Sequence, residues 1–85
     1  MLQKRLSELS IGEIGRIVRI NGEATLRRRV REMGLIASAA IMVDKIAPFG
    51  DPMGVVVQDY HLSLRKKEAA DIWVEVEADH VDDGN

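Results

Sequence analysis

EIGRIVRINGEATLRRRVREMG, residues 13–34, carries the transition that decides the fold. Its first part, Glu13–Ile20, is rich in β-branched residues and alternates loosely. Ile14, Val18 and Ile20 share one parity and Arg16 interrupts, so the run reads as a strand. Gly15 inside it predicts a bulge or a close backbone approach. Asn21-Gly22 then punctuates the chain. Glu23–Met33 reads as a helix, because Leu26, Val30 and Met33 fall at i, i+4 and i+7 on one face. Glu23 complements the positive end of the helix dipole, and Gly34 suits the left-handed position after the last turn. Arg27, Arg28, Arg29 and Arg31 make this helix the densest basic cluster in the chain.

Upstream, Leu2, Leu6 and Leu9 have near-helical spacing and Ser7 and Ser10 suit caps, which predicts a short helical turn leading into Gly12. Downstream, Ala40–Ala47 reads as a second strand ended by Pro48, and Phe49–Met53 as a turn-rich loop. Gly54–Tyr60 is a third strand. His61–Leu64 is a fourth, with Leu62 and Leu64 opposite His61, Ser63 and Arg65. Lys66–Asp71 forms one or two helical turns. Ile72–Glu77 is the last strand, with Ile72, Val74 and Val76 facing one way and Trp73, Glu75 and Glu77 the other. Five short strands, one Arg-rich helix after the first and a short helix before the last predict a mainly β chain closing into a small barrel. Trp73 has two places open to it: partly exposed beside carboxylates, as at an interface rim, or buried under the N-terminal turn.

Length and composition fit one soluble domain: 85 residues, 46% hydrophobic and 31% charged. The expected division is a domain over residues 1–78 and an acidic, solvated tail over 79–85. No apolar run approaches the roughly 18–20 residues of a membrane span, and no apolar stretch follows the N-terminal charges, so the expected location is the cytoplasm. Cysteine is absent, which excludes disulfides, thiolate metal sites and thiol catalysis. The net charge of −2 conceals an asymmetry. Residues 1–36 hold eight Lys/Arg against four Asp/Glu, and residues 37–85 hold four against ten.

Catalytic patterns are missing. There is no G-x-S-x-G elbow, no phosphate-binding glycine motif, and only His61 and His80 as imidazole bases. The expectation is a non-enzyme. His80 with Asp79, Asp82 and Asp83 offers loose ligation of a divalent ion, and His61 is an outward strand residue. Neither has the spacing of a closed zinc site, so no cofactor beyond a weakly held metal ion is expected. The helix arginines admit three readings: a solvated face, a docking surface for an acidic protein partner, or phosphate contacts with nucleic acid. One Phe, one Trp and one Tyr are too few for stacking platforms, so nucleic acid is not an expected partner.

The order of short motifs is more specific than any one of them. Leu6-x-x-Leu9, Gly12-Glu13-x-Gly15-x-Ile17 and Arg31-Glu32-Met33-Gly34-Leu35 are followed by Ile41-x-Val43 and Ala47-Pro48-x-Gly50-Asp51-Pro52. Leu62-Ser63-Leu64-Arg65-Lys66-Lys67-Glu68-Ala69 and Ile72-x-Val74 complete the series. Over about residues 6–76 the chain resembles the FeoA-type domain family. That resemblance implies an SH3-like barrel acting as a cytosolic accessory of ferrous iron transport, by contact with a membrane permease that carries a GTP-binding domain. It also implies an alternative, a metal-responsive regulatory domain of the kind found in metal-dependent repressors. On the contact reading, Arg27, Arg28 and Arg31 form the expected docking surface, with Trp73 as an anchor and with recruitment to the inner face of the membrane through the partner. Oligomeric state is left open. Two departures from the family pattern stand out: Ala37-Ser38 replaces a common Pro-Gly, and Asp59 replaces a common Gly before Tyr60. Asp tolerates left-handed dihedrals, so the second turn is expected to survive, whereas the loop at Ala37-Ser38 is expected to differ in shape.

Overall fold

The computed structural model describes residues 2–22, 24–33 and 38–77, with backbone alone for 24–26. Among the described residues, six strands form one antiparallel sheet. They are β1 (Leu2–Arg5), β2 (Ile14–Ile20), β3 (Ala40–Ile46), β4 (Met53–Val57), β5 (Tyr60–Leu64) and β6 (Ile72–Val76), in the order β1-β6-β2-β3-β4-β5. A 3₁₀ turn at Leu6–Glu8 follows β1, helix α1 (Ala24–Glu32) joins β2 to β3, and the single-turn helix α2 (Lys66–Ala69) joins β5 to β6. The class is mainly β, as expected, with one more strand than the sequence suggested.

The extra strand is β1. Leu2 was expected in a helical turn, but Leu2–Arg5 pairs along β6, from Leu2 opposite Val76 to Arg5 opposite Trp73. Only Leu6–Glu8 turns, and Leu6 is fully buried there. The turn is capped by Glu8, whose carboxylate accepts the Arg5 N–H at 2.9 Å, rather than by Ser7 or Ser10.

Alternation places the core. Ile41 and Val43 of β3, Met53, Val55 and Val57 of β4, Leu64 of β5, and Ile72, Val74 and Val76 of β6 all face inward. Leu6, Leu9, Ile17, Val30 and Ala69 complete the cluster, and among the described residues no polar or charged side chain is buried. Strand β2 corrects the expected parity. Gly15 and Ile17 face the core, whereas Ile14 is 58% exposed. A register shift between Ile17 and Arg19 lets Ile20 pack on the core beyond it. Gly15 marks a close approach: a Cβ there would lie 2.8 Å from both Cβ and Cγ2 of Val74.

The turns explain the departures from the family pattern. Gln58 and Asp59 have φ of 51° and 71°, the pair of positive angles that a two-residue hairpin between β4 and β5 needs, so Asp59 serves where a glycine is common. Ser38 also takes a left-handed φ, 75°. Its N–H donates to the Ile17 carbonyl at 2.7 Å and its carbonyl accepts from Arg16 Nη1 at 3.0 Å. Ala37 and the helix-ending Gly34 lie outside the described residues.

Candidate interaction surface

Helix α1 is held from two sides. Val30 is fully buried and Met33 packs against the core. At about 100° per residue, Arg29 then projects to one flank of Val30, Arg27 and Arg31 to the other, and Arg28 nearly opposite. Arg29 meets α2, where its Nη1 pairs with Glu68 Oε2. The other oxygen of Glu68 accepts the Arg65 N–H at 2.9 Å, so one carboxylate both caps α2 and tethers α1 to it. Arg27, Arg28 and Arg31 are exposed, and among the described residues no ion pair joins them to an acid. The expected docking residues therefore stand on solvent-facing positions, while the fourth arginine of the cluster is engaged in holding the helix.

Trp73 lies half-buried on the face of β6 opposite the core residues Ile72, Val74 and Val76. Arg5 of β1 and Arg19 of β2 are its register partners on the two sides. Their guanidinium carbons lie 5.3 and 5.2 Å from the ring centroid, within cation–π range. The expected anchor is thus flanked by two strand arginines, neither of them a helix arginine. The sequence carries no local signal for Arg5 or Arg19. Their meeting depends on the pairing of three strands, which no local pattern encodes.

His61 is an outward strand residue, as expected. Its Nδ1 lies 3.1 Å from Asp44 Oδ2, and the two side chains are 74% and 20% exposed. The pair borders a groove of about 700 Å³ lined by apolar Ile11, Ile46, Pro52 and Leu62. Asp44 was not foreseen, and it falls where the β3 register shifts between Val43 and Lys45. His80 and Asp79, the other candidate metal ligands, lie outside the described residues together with the rest of 78–85. Among the described residues no three His, Cys, Asp or Glu side chains gather as a metal cluster. Likewise, no helix among them is long and apolar enough to cross a membrane.

Residues 4–76 match the FeoA domain model. The chain belongs to the FeoA family. It is 43% identical over 72 residues to the Fe(2+) transport protein A/Fe(2+) transporter FeoB fusion protein of Porphyromonas gingivalis, a match covering 85% of this chain but 8% of that protein. The NMR structure of an FeoA-like protein from Clostridium acetobutylicum superposes with a TM-score of 0.84 at 34% identity, covering 100% of this chain and 99% of the other. The zinc complex of Stenotrophomonas maltophilia FeoA, described as an SH3 domain protein, superposes at 0.72 with 25% identity over 88% of this chain and 91% of that one. The SH3-like expectation is therefore borne out. A manganese-dependent transcriptional repressor shares the fold, with a TM-score of 0.81 at 20% identity over 88% of this chain and 42% of the repressor.

Proposed function

We propose that this FeoA-family chain is a non-catalytic, cytoplasmic accessory of ferrous iron transport that works by contact with the cytosolic face of a ferrous iron permease carrying a GTP-binding domain. The supporting observation is the fusion relative, in which a segment 43% identical to this chain shares one polypeptide with an Fe(2+) transporter. Tethering raises the effective concentration of two modules to roughly millimolar, an advantage only where the modules meet. This chain corresponds to 8% of that protein, and in this reading transport belongs to the remainder and docking to the domain. Among the described residues the core is aliphatic and holds no titratable group, which supports the non-catalytic reading.

The docking surface in this reading is Arg27, Arg28 and Arg31 on α1, with Trp73 as the aromatic anchor. Exposed guanidinium groups pair with carboxylates through two parallel hydrogen bonds. The test is capture of the detergent-solubilised permease on the immobilised chain at low and moderate salt. Saturable capture is expected from the native chain, and the Arg28→Glu/Arg31→Glu variant should lose it while melting at the native temperature. Capture that survives the reversal would remove the helix from the interface. No capture under any condition would overturn the transport reading.

A metal-responsive regulatory domain is the second reading. It draws support from the zinc complex of the Stenotrophomonas relative and from the fold shared with the repressor. It requires stoichiometric binding of a divalent ion that His61→Ala or His80→Ala abolishes. Weak, non-saturating binding would dismiss it.

A further inference from the structure

We infer that Arg5, Trp73 and Arg19 form a clamp for an extended acidic segment of a protein partner. The inference rests on the reading that this chain works by protein contact, and it adds a second contact chemistry to the helix arginines.

Three observations carry it. First, the geometry is set by backbone pairing: Arg5 and Arg19 are the register neighbours of Trp73 on either side, so the three side chains form one row across β1, β6 and β2. A guanidinium stacked against an indole keeps the N–H donors on its edge free for a carboxylate while losing part of its side-chain freedom beforehand. Second, among the described residues the recorded ion pairs are Lys4–Glu13, Arg29–Glu68 and His61–Asp44, so neither clamp arginine is neutralised by an acid within 4 Å. Third, the spacing suits a peptide. Arg5 and Arg19 stand two strand spacings apart, roughly 10 Å, and carboxylates two or three residues apart on an extended chain are separated by about 7–10 Å. Between them the half-buried indole covers the intervening backbone or an apolar side chain.

The same face argues against an anionic membrane as the occupant. Glu75 follows Trp73 on the same side of β6 and is opposite Arg16 rather than a clamp arginine, and Glu77 is exposed immediately after the strand. A broad anionic surface laid on this face would meet the Glu75 carboxylate, whereas a narrow peptide crossing the Arg5–Trp73–Arg19 row avoids it.

Trp73 is the only tryptophan in the chain and therefore reports on its own site. Titrating the full chain with a hexaglutamate peptide at low salt should shift Trp73 emission saturably, and hexalysine should not. Arg5→Gln/Arg19→Gln should weaken the hexaglutamate affinity at least tenfold. Arg5→Lys/Arg19→Lys, which keeps the charge and removes the planar fork, should fall between, and serves if the glutamine variant does not fold. Arg28→Glu/Arg31→Glu should leave the clamp arginines and the shift in place, so failure of the helix surface and failure of the clamp are separable. No saturable shift, an undiminished shift in both clamp variants, an equal response to inorganic phosphate, or binding to phosphatidylserine vesicles in place of the peptide would each overturn the inference.

Discussion

Replacing Gly15 by alanine tests how tightly β2 and β6 close. Gly15 is buried in β2, with no left-handed dihedral to defend, so the substitution asks only about space. An added Cβ would sit 2.8 Å from Cβ and Cγ2 of Val74 and 3.3 Å from the Glu75 carbonyl oxygen. Two of those three atoms belong to the backbone or its first side-chain carbon, which no rotamer change moves away. Val74 is itself fully buried and has no open volume to retreat into. Overpacking of this kind costs about 1–3 kcal/mol, against a gain of about 0.5–1 kcal/mol from replacing glycine inside a strand. The expected net loss is about 1–2 kcal/mol. At roughly 4–8 °C per kcal/mol for a domain of this size, the midpoint should fall by about 5–15 °C. Thermal and urea denaturation followed by Trp73 emission and far-ultraviolet circular dichroism would measure it. Val74→Ala removes Cγ2 but leaves Cβ, so Gly15→Ala/Val74→Ala should be more stable than the sum of the single losses predicts. A Gly15→Ala variant as stable as the native chain would refute the close approach, and additivity of the pair would show that Val74 is not the neighbour at fault.

Ser38→Gly should stabilise the chain by about 0.5–1 kcal/mol, because Ser38 holds φ at 75°, a region costly for a residue with a Cβ; a lower thermal midpoint would mean that the serine side chain contributes more than the dihedral costs. Arg29→Ala should cost under about 1 kcal/mol, since the arginine of the pair with Glu68 is 49% exposed. Glu68→Ala should cost more, because it also removes the acceptor for the Arg65 N–H, and equal losses in urea unfolding would count against that double role.

The sheet was largely legible because most of its strands are short β-branched runs bounded by turn residues, and in β6 Ile72, Val74 and Val76, the residues of one parity, are those found inside. Strand β1 was not. Leu-Gln-Lys-Arg carries a single apolar residue, and its strand character comes from pairing with β6, a long-range contact without a local signal. The parity of β2 misled for a related reason. Gly15 contributes no apolar side chain to the core face, and the register shift after Ile17 brings Ile20 back to the core out of phase. Exposure of Arg27, Arg28 and Arg31 followed from a helix anchored by Val30. The partners of Trp73 could not follow from any stretch of sequence, since they lie on strands separated from it by more than fifty residues.

The topology nevertheless gathers the two basic features at one end of the sheet. Arg19 is the penultimate residue of β2, the strand that leads into α1, and Trp73 is the second residue of β6, the strand that α2 feeds. The Ile20–Ile72 pairing and the bond from the Asn21 N–H to the Asp71 carbonyl close that end. The Arg29–Glu68 pair then draws α1 against α2 just beyond it. Among the described residues the core is aliphatic and holds no charged side chain, and in the proposed reading the helix arginines and the Arg5–Trp73–Arg19 row serve one acidic partner from that end of the sheet. Neither contact needs to be strong. On that proposal, a partner engaging one would hold its own acidic residues near the other, so that two weak, salt-sensitive contacts would act as one specific attachment.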